Sequence, residues 1–121
     1  MSTTDYVLPS IKSQLGIDSE CKAFDAPLTM NINTVFMILK RMGVGPATGF
    51  TITPNGNDSW SDFMDDGTTL EAVKSYVYLK VKLIFDPPAS GTLVEAIKEN
   101  IKELEWSLNF EEDAMSDSKE V

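Results

Sequence analysis

Apolar side chains recur at helical spacing in four stretches of the chain. The first stretch, residues 5–15, predicts a short helix that Asp5 can cap and Gly16 ends. The second begins after Asp25, and its apolar positions are spaced 4, 3, 4 and 3 residues apart, the pattern of an amphipathic helix. This stripe consists of Leu28, Ile32, Val35, Leu39 and Met42. Gly43 is well placed to end the helix in a left-handed conformation.

Residues 72–88, AVKSYVYLKVKLIFDPP, are apolar on most sides although they include three lysines. Two apolar stripes run along a predicted helix from about Thr69 to Phe85. The first stripe consists of Leu70, Val73, Val77, Val81 and Ile84, and the second of Tyr76, Leu79 and Leu83. A helix that is apolar on two sides is covered on two sides, so we expect this helix to be central in a bundle. It ends at an Asp-Pro-Pro sequence, because proline cannot continue a helix.

A fourth helix follows closely. Either Ser90 or Thr92 can cap it, and Glu95 stands at capping-box spacing from Thr92. Its apolar seam consists of Val94, Ile97, Ile101, Leu104 and Leu108. The short connection makes helices three and four an antiparallel hairpin. From residue 110 the chain reads FEEDAMSDSKEV, with five acids and one lysine, which predicts a flexible acidic tail.

Residues 43–67 break the helical pattern. Within them, GFTIT has the alternation of a short strand, PNGN is typical of a turn, and SWSDFM fits one turn of helix. A loop of this length inside a small domain is unusual and is often functional. We therefore predict an all-α fold. A four-helix, bundle-like domain spans residues 1–109, with a long irregular loop and a candidate short strand between helices two and three, and residues 110–121 form the tail.

Size and charge narrow the classes of function. The chain has 121 residues, enough for one domain with a real core, and 10 basic against 19 acidic residues, a net charge of -9. This balance argues against binding to nucleic acid through phosphates and against an anionic membrane surface. No stretch is long and apolar enough to span a membrane, and the N-terminus lacks the pattern of a signal peptide. We expect a soluble protein with no membrane partner.

The chemistry of common active sites is missing. The chain has no histidine and one cysteine, Cys21, so it lacks the commonest general base and metal ligand. The acidic run from Asp58 to Asp66 does not fit a calcium-binding loop. When Gly67 is aligned with the glycine of such a loop, Met64 and Val73 fall at ligand positions. We expect no enzyme activity, no cofactor and no metal site, and an inert thiol at Cys21.

Several aromatic residues are candidates for contact with other chains. Trp106 points away from the apolar seam of its helix, among charged residues. It either anchors another chain, or lies flat on its own helix or under the C-terminal tail. Trp60 and Phe63 lie in the long loop, where they either tuck the loop onto the domain or insert into a neighbouring subunit. Phe50, in the same loop, and Phe110, at the start of the tail, complete this aromatic set.

Lys80 is a further candidate interface residue, because it falls near the valines of the central helix. A buried lysine needs a partner or a route to water. Its methylenes can lie along the helix with the ammonium in water. Alternatively, the ammonium pairs with Asp62 or Asp65, or with an acid of a neighbouring chain.

Four segments together resemble the small head-tail connector (adaptor) proteins of tailed bacteriophages with long non-contractile tails. They read DYVLPSIKSQLGI, NINTVFMILKRMGVGP, LEAVKSYVYLKVKLIFDPP and IKELEWSLN. The resemblance covers most of residues 5–109 and stops before the tail. It implies an all-α bundle with a long loop between its second and third helices, and no enzymatic activity.

The same resemblance implies a place in the virion. Connector proteins of this kind form a ring, expected here to be a dodecamer, that assembles in the host cytoplasm and docks under the portal protein in the head-tail neck. The ring extends the channel through which DNA passes and carries the next neck or tail protein. The chain's partners would then be its own copies, the portal and a downstream neck or tail protein, with DNA as passing cargo.

Two other functions are compatible with the residues. A net charge of -9 on a small domain suits an acidic inhibitor that mimics DNA and blocks a host enzyme, although the acids are mixed with lysines. The second alternative is another phage neck protein, such as a head-closure or tail-completion factor. A head-closure protein is expected to be richer in strands.

Overall fold

The structure, a computed structural model, describes residues 6–18, 20–46, 48–54, 58–65 and 67–120, with side chains up to residue 108. Its elements are α1 (Val7–Leu15), α2 (Asp25–Arg41), α3 (Trp60–Phe63), α4 (Thr68–Phe85) and α5 (Gly91–Glu120). The described residues form no strand, so the prediction of an all-α fold is confirmed. The single helical turn predicted in the loop is α3, and the four longer predicted helices are α1, α2, α4 and α5.

α4 occupies the middle of the fold, because both α2 and α5 pack against it while making little or no contact with each other. The ring of Phe24, at the start of α2, packs edge-to-face against Phe85, at the end of α4, with ring centroids 5.2 Å apart. α2 therefore runs antiparallel to α4. The short connection after Phe85 makes α5 antiparallel to α4 as well. α4 is thus covered on two sides, as its two apolar stripes predict.

The core contains side chains from all five helices. Its largest fully buried members include Trp60, Tyr76, Phe36, Ile11, Leu28, Ile32, Leu39 and Leu108. Burial of one large apolar side chain stabilises a fold by roughly 1.5–3 kcal/mol. Tertiary packing of this kind, rather than helix propensity, holds short helices such as α1 in place.

One member of the predicted central stripe is not in the core. Leu70, Val73, Val77 and Val81 are buried, but Ile84 is 60% exposed. The reason is the length of the neighbouring helix. Since α2 begins beside Phe85, the last turn of α4 reaches the end of the cover that α2 provides.

The helix ends follow the predicted caps in most places. Gly16 (φ 81°) and Gly43 (φ 83°) both adopt the left-handed conformation in which glycine carries no steric penalty. Ser90 caps α5, since its Oγ accepts a hydrogen bond from the backbone N–H of Leu93 at 3.4 Å. The alternative cap, Thr92, is wrong because the helix begins at Gly91 and Thr92 lies inside its first turn.

The backbone of α5 continues to Glu120, past the boundary predicted at residue 109. Side chains from residue 109 onward, including that of Phe110, lie outside the described residues, and so does Asp5, the predicted cap of α1. The division of the chain at residue 110 and the flexible acidic tail therefore stay predictions.

A buried ion pair joins α1 to α2. Lys12 Nζ lies 2.8 Å from Asp25 Oδ1, with only 4% and 11% of the two side chains exposed. The same ammonium donates a hydrogen bond to the backbone carbonyl oxygen of Cys21 at 2.7 Å. The helical periodicity gives no hint of this pair, because Lys12 and Asp25 belong to different elements. A buried charge of this kind is tolerated only when it is paired and hydrogen-bonded.

Removing one partner of this pair should strongly destabilise the domain. Lys12→Met leaves Asp25 buried without its cation, so we expect the free energy of unfolding in urea to fall by about 3 kcal/mol. The double variant Lys12→Met/Asp25→Leu should recover most of the loss, because it removes both charges.

The matched control for this measurement is Lys82→Met, which breaks an exposed pair with Asp86 at 3.4 Å. It should cost less than about 1 kcal/mol. Equal losses in the Lys12 and Lys82 variants would contradict the structural importance assigned to the buried pair.

Candidate assembly surfaces

Two helix faces point away from the core on different sides of α4. The outer surface of α2, here called the α2 face, consists of Met30, Asn33, Thr34, Met37, Lys40 and Arg41. The outer surface of α5, here called the α5 face, consists of Glu95, Glu99, Lys102, Glu103 and Trp106. In each helix these positions share one side at 3.6 residues per turn, and the opposite side of the helix carries its buried residues.

Two methionines give the α2 face an apolar centre. Met30 is 72% exposed and Met37 is 48% exposed, and they lie about two helical turns apart. Between them, the Thr34 hydroxyl donates back to the carbonyl oxygen of Met30 at 3.0 Å, which satisfies its donor within the helix. Methionine is flexible and polarisable, so exposed methionines suit a surface that adapts to another chain.

A groove of about 470 Å³ opens between α2 and residues 48–51. Phe50, a candidate interface residue from the sequence, is half-buried in its wall and packs edge-to-face on Phe36 with ring centroids 5.0 Å apart. Met37 and Lys40 line the side formed by α2. The remaining lining residues are Asn33, Thr34, Phe36, Thr48, Gly49 and Thr51, so none of the described residues that line the groove is acidic.

Asn33 fixes the wall of the groove that residues 48–51 form. Its Oδ1 accepts a hydrogen bond from the backbone N–H of Ile52 at 2.7 Å, and its Nδ2 donates to the Ile52 carbonyl oxygen at 3.1 Å. One side chain thus pairs with both backbone groups of Ile52, as a neighbouring strand would. The described residues form no strand here, so the short strand expected in GFTIT is wrong.

Trp60 and Phe63 are both buried in the core. Trp60 is 1% exposed, and its Nε1 donates a hydrogen bond to Ser10 Oγ at 2.9 Å. Phe63 packs on Phe36 with ring centroids 4.9 Å apart. Gly45 (φ 93°) has no room for a side chain, since a Cβ there would overlap the Phe63 ring. Both rings tuck the loop onto the domain, and contact with a neighbouring subunit would require them to leave this core.

Lys80 is partly exposed, and its Nζ lies 5.9 Å from the centroid of the Tyr76 ring, within the range of a cation–π contact. No acidic partner for Lys80 occurs in the part of the chain that the structure describes. The alternative pairing with Asp62 or Asp65 is therefore not formed, and pairing with an acid of a neighbouring chain stays a prediction.

Trp106 lies on the surface, 69% exposed, in the orientation that the seam of α5 predicts. Charged side chains surround it on the α5 face. Lys102 pairs with Glu99 at 3.9 Å, and both side chains are more than two-thirds exposed. Because a solvent-exposed pair of this kind contributes little stability, these charges can exchange partners at low cost.

Charge is distributed unevenly between the two faces. No acidic residue occurs between Asp25 and Asp58, whereas residues 95–121 contain nine acids and three lysines. Lys40 and Arg41 lie in the last turn of α2, where cations also offset the negative end of the helix dipole. The uneven distribution of acids is visible in the sequence, but the net charge of the chain does not reveal it.

A hydrogen bond ties α5 to α4 next to Trp106. Tyr76 Oη donates to Glu105 Oε2 at 2.9 Å. Burial raises the pKa of Tyr76 well above its ordinary value of 10.0, and the hydrogen bond to Glu105 and the charge of that carboxylate raise it further. Since Trp106 is the next residue along α5, this bond helps to fix the orientation of the α5 face.

The family of the chain is shown by comparison with known families. A model of the phage connector protein family matches residues 7–115. The chain belongs to the phage connector protein family. The match confirms the resemblance seen in the sequence and extends it to residue 115, past the point near residue 110 where the resemblance was expected to stop. No curated protein and no solved structure matches the chain significantly.

Membership of this family makes the chain a structural protein of the phage neck, located in the virion and working with other head and tail proteins. The absence of strands among the described residues disfavours the strand-rich head-closure alternative. In that same part of the chain, no helix is long and apolar enough to cross a membrane, and no cluster of acids and cysteine could hold a metal ion.

Tyr76→Phe should destabilise the connector and change its behaviour in alkali. Loss of the bond to Glu105 should cost about 1–2 kcal/mol at neutral pH, measured by urea unfolding. Because the pKa of Tyr76 is raised in the folded state, its contribution is fully present below pH 10.0 and is lost as the pH rises above that value. The variant should therefore lose less stability than the wild type as the pH rises above 10.0.

Tyr78→Phe is the matched control, because it removes a neighbouring phenol and keeps the bond between Tyr76 and Glu105. It should retain the alkaline loss of the wild type. If the Tyr76 and Tyr78 variants lose stability in parallel above pH 10.0, the role assigned to the buried phenol is wrong.

Proposed function

We propose that this connector protein forms an oligomeric ring beneath the portal, which joins the head to the tail and extends the DNA channel. The main support for the proposal is the arrangement of the helices in this connector-family chain. α4 is covered on two sides, and its neighbours α2 and α5 expose two different faces. A ring needs two unlike contact surfaces on each subunit, since head-to-tail contacts close a ring only through heterologous interfaces. The copy number expected from the resemblance is twelve.

The charge of the chain supports a channel that DNA passes without sticking. Proteins capture duplex DNA mainly by neutralising phosphates with Lys and Arg. Here 19 acids outnumber 10 basic residues, and several of the lysines are paired with acids, including Lys12, Lys74, Lys82, Lys98 and Lys102. A lumen lined with acids fits passage of DNA. A lumen lined by the basic residues would contradict this part of the proposal.

The number of copies in purified virions tests the function directly. Quantitative mass spectrometry should find this chain at close to the copy number of the portal protein. Electron microscopy of the neck should place it as a ring between the portal and the tail. Absence from the particle would overturn the connector ring and favour an assembly factor that departs, or the acidic inhibitor.

Trp106→Ala should weaken assembly more than folding. If Trp106 is an interface hot spot, its loss should cost the contact between copies about 2 kcal/mol, while the melting temperature of the monomer changes little because the ring is 69% exposed. Sedimentation velocity measures the first effect, and thermal unfolding monitored by circular dichroism measures the second.

Leu93→Ala provides the control on the same helix, because Leu93 is also exposed but lies outside the α5 face. It should leave assembly unchanged. Equal assembly of the Trp106 variant and the wild type, together with a lower melting temperature, would instead mean that the indole lies flat on its own helix.

A further inference from the structure

We propose that the α2 face of one copy receives the α5 face of the next copy, with Trp106 seated in the groove beside Met37 and Phe50. The inference rests on the proposed ring and names its subunit contact. It commits to a second copy of this chain as the occupant of the groove. Three properties of the described residues support it: charge, the chemistry of the groove, and the positions of the two helices.

Charge complementarity is the first support. The α2 face ends in Lys40 and Arg41, and neither has an acidic partner among the described residues. The α5 face presents Glu99 and Glu103 within about two helical turns of Trp106. A chain of net charge -9 repels its own copies, so contact between them needs a surface free of acids. The α2 face and its groove are such a surface, because no acid occurs between Asp25 and Asp58.

The groove has the chemistry that an indole needs. Phe50 offers an aromatic wall, Met37 a thioether and Lys40 a cation, all within one cavity of about 470 Å³. Trp106 is the larger of the exposed aromatic side chains in the described part of the chain, so it is the anchor that best fits this space.

The positions of the helices make the contact intermolecular. α2 and α5 lie on different sides of α4 and make little or no contact with each other. A single copy therefore does not place its own Trp106 in its own groove. Repeating the contact from one copy to the next builds a head-to-tail series of α2, α4 and α5, and such a series closes into a ring when its rotation allows.

Charge reversal tests the pairing. The variant Lys40→Glu/Arg41→Glu and the variant Glu99→Lys/Glu103→Lys should each raise the concentration at which copies associate by at least about tenfold in sedimentation velocity. Mixing the two variants in equal amounts should restore association to within roughly threefold of the wild type, because each reversed face then meets an opposite one.

Matched reversals elsewhere provide the controls. Lys22→Glu/Lys82→Glu and Glu20→Lys/Glu71→Lys change the net charge equally but leave both faces intact. These variants should associate like the wild type. Circular dichroism and thermal unfolding should confirm that all variants fold.

Tryptophan accessibility gives a second readout. Trp60 is 1% exposed and Trp106 is 69% exposed, so acrylamide quenching of the wild type reports mainly on Trp106. Quenching should fall as the chain associates and should stay high in the Lys40→Glu/Arg41→Glu variant. Quenching that is unchanged on association would overturn the seating of Trp106 in the groove.

The remaining outcomes also decide the question. If reversal on α2 has no effect, or if the mixture of variants does not associate, the two faces are not partners. If reversal on α2 blocks attachment to the neck while reversal on α5 has no effect, the groove receives a different protein.

A wild-type chain that stays monomeric at about 1 mM also overturns the proposal. None of these results alters the virion copy count, so failure of this contact and failure of the connector ring can be distinguished.

Discussion

Burial of α4 on two sides is the constraint on which the rest of the structure depends. Its two apolar stripes cannot both be covered by one neighbour, so α2 and α5 take separate sides, and both run antiparallel to it. Among the described residues, α1 and residues 48–52 cover part of α2, but the α2 face and the α5 face stay on the surface. A small domain of this kind therefore exposes two unlike helix faces. That property is what a subunit of a closed assembly requires.

Side-chain hydrogen bonds and one ion pair fix the irregular parts to this frame. Lys12 joins α1 to Asp25, the indole of Trp60 reaches Ser10, and Asn33 brackets Ile52. Each of these contacts joins two segments that the packing of α2, α4 and α5 does not itself hold together. Since Phe50 packs on Phe36 and Asn33 holds Ile52 two residues further on, this wall of the groove is fixed against α2. Preorganisation of this kind reduces the entropy lost when a partner binds.

The helices could be predicted from the sequence because the apolar period reports directly on burial. The two stripes of α4 even indicated its central place. Contacts between distant segments could not be foreseen in this way, and neither the partner of Lys12 nor the role of Asn33 is encoded in any local pattern. Ile84 shows the limit within a helix, since periodicity identifies the side that faces the core but not where the neighbouring helix stops. The exposure of Trp106 could be predicted from the helical period. The period does not say whether Trp106 contacts another chain.

The uneven distribution of charge bears on both parts of the proposed function, the assembly of copies and the passage of DNA. A net charge of -9 keeps copies apart at long range, yet at physiological ionic strength such repulsion is screened beyond about 8 Å. Contacts at short range then decide whether two copies bind. In the proposed contact, the α2 face has no acids and the α5 face is acidic, so two copies attract each other locally although the chain is acidic overall. In the proposed ring, the acids outside the α5 face remain on surfaces that no copy covers, and an acidic surface does not capture phosphates.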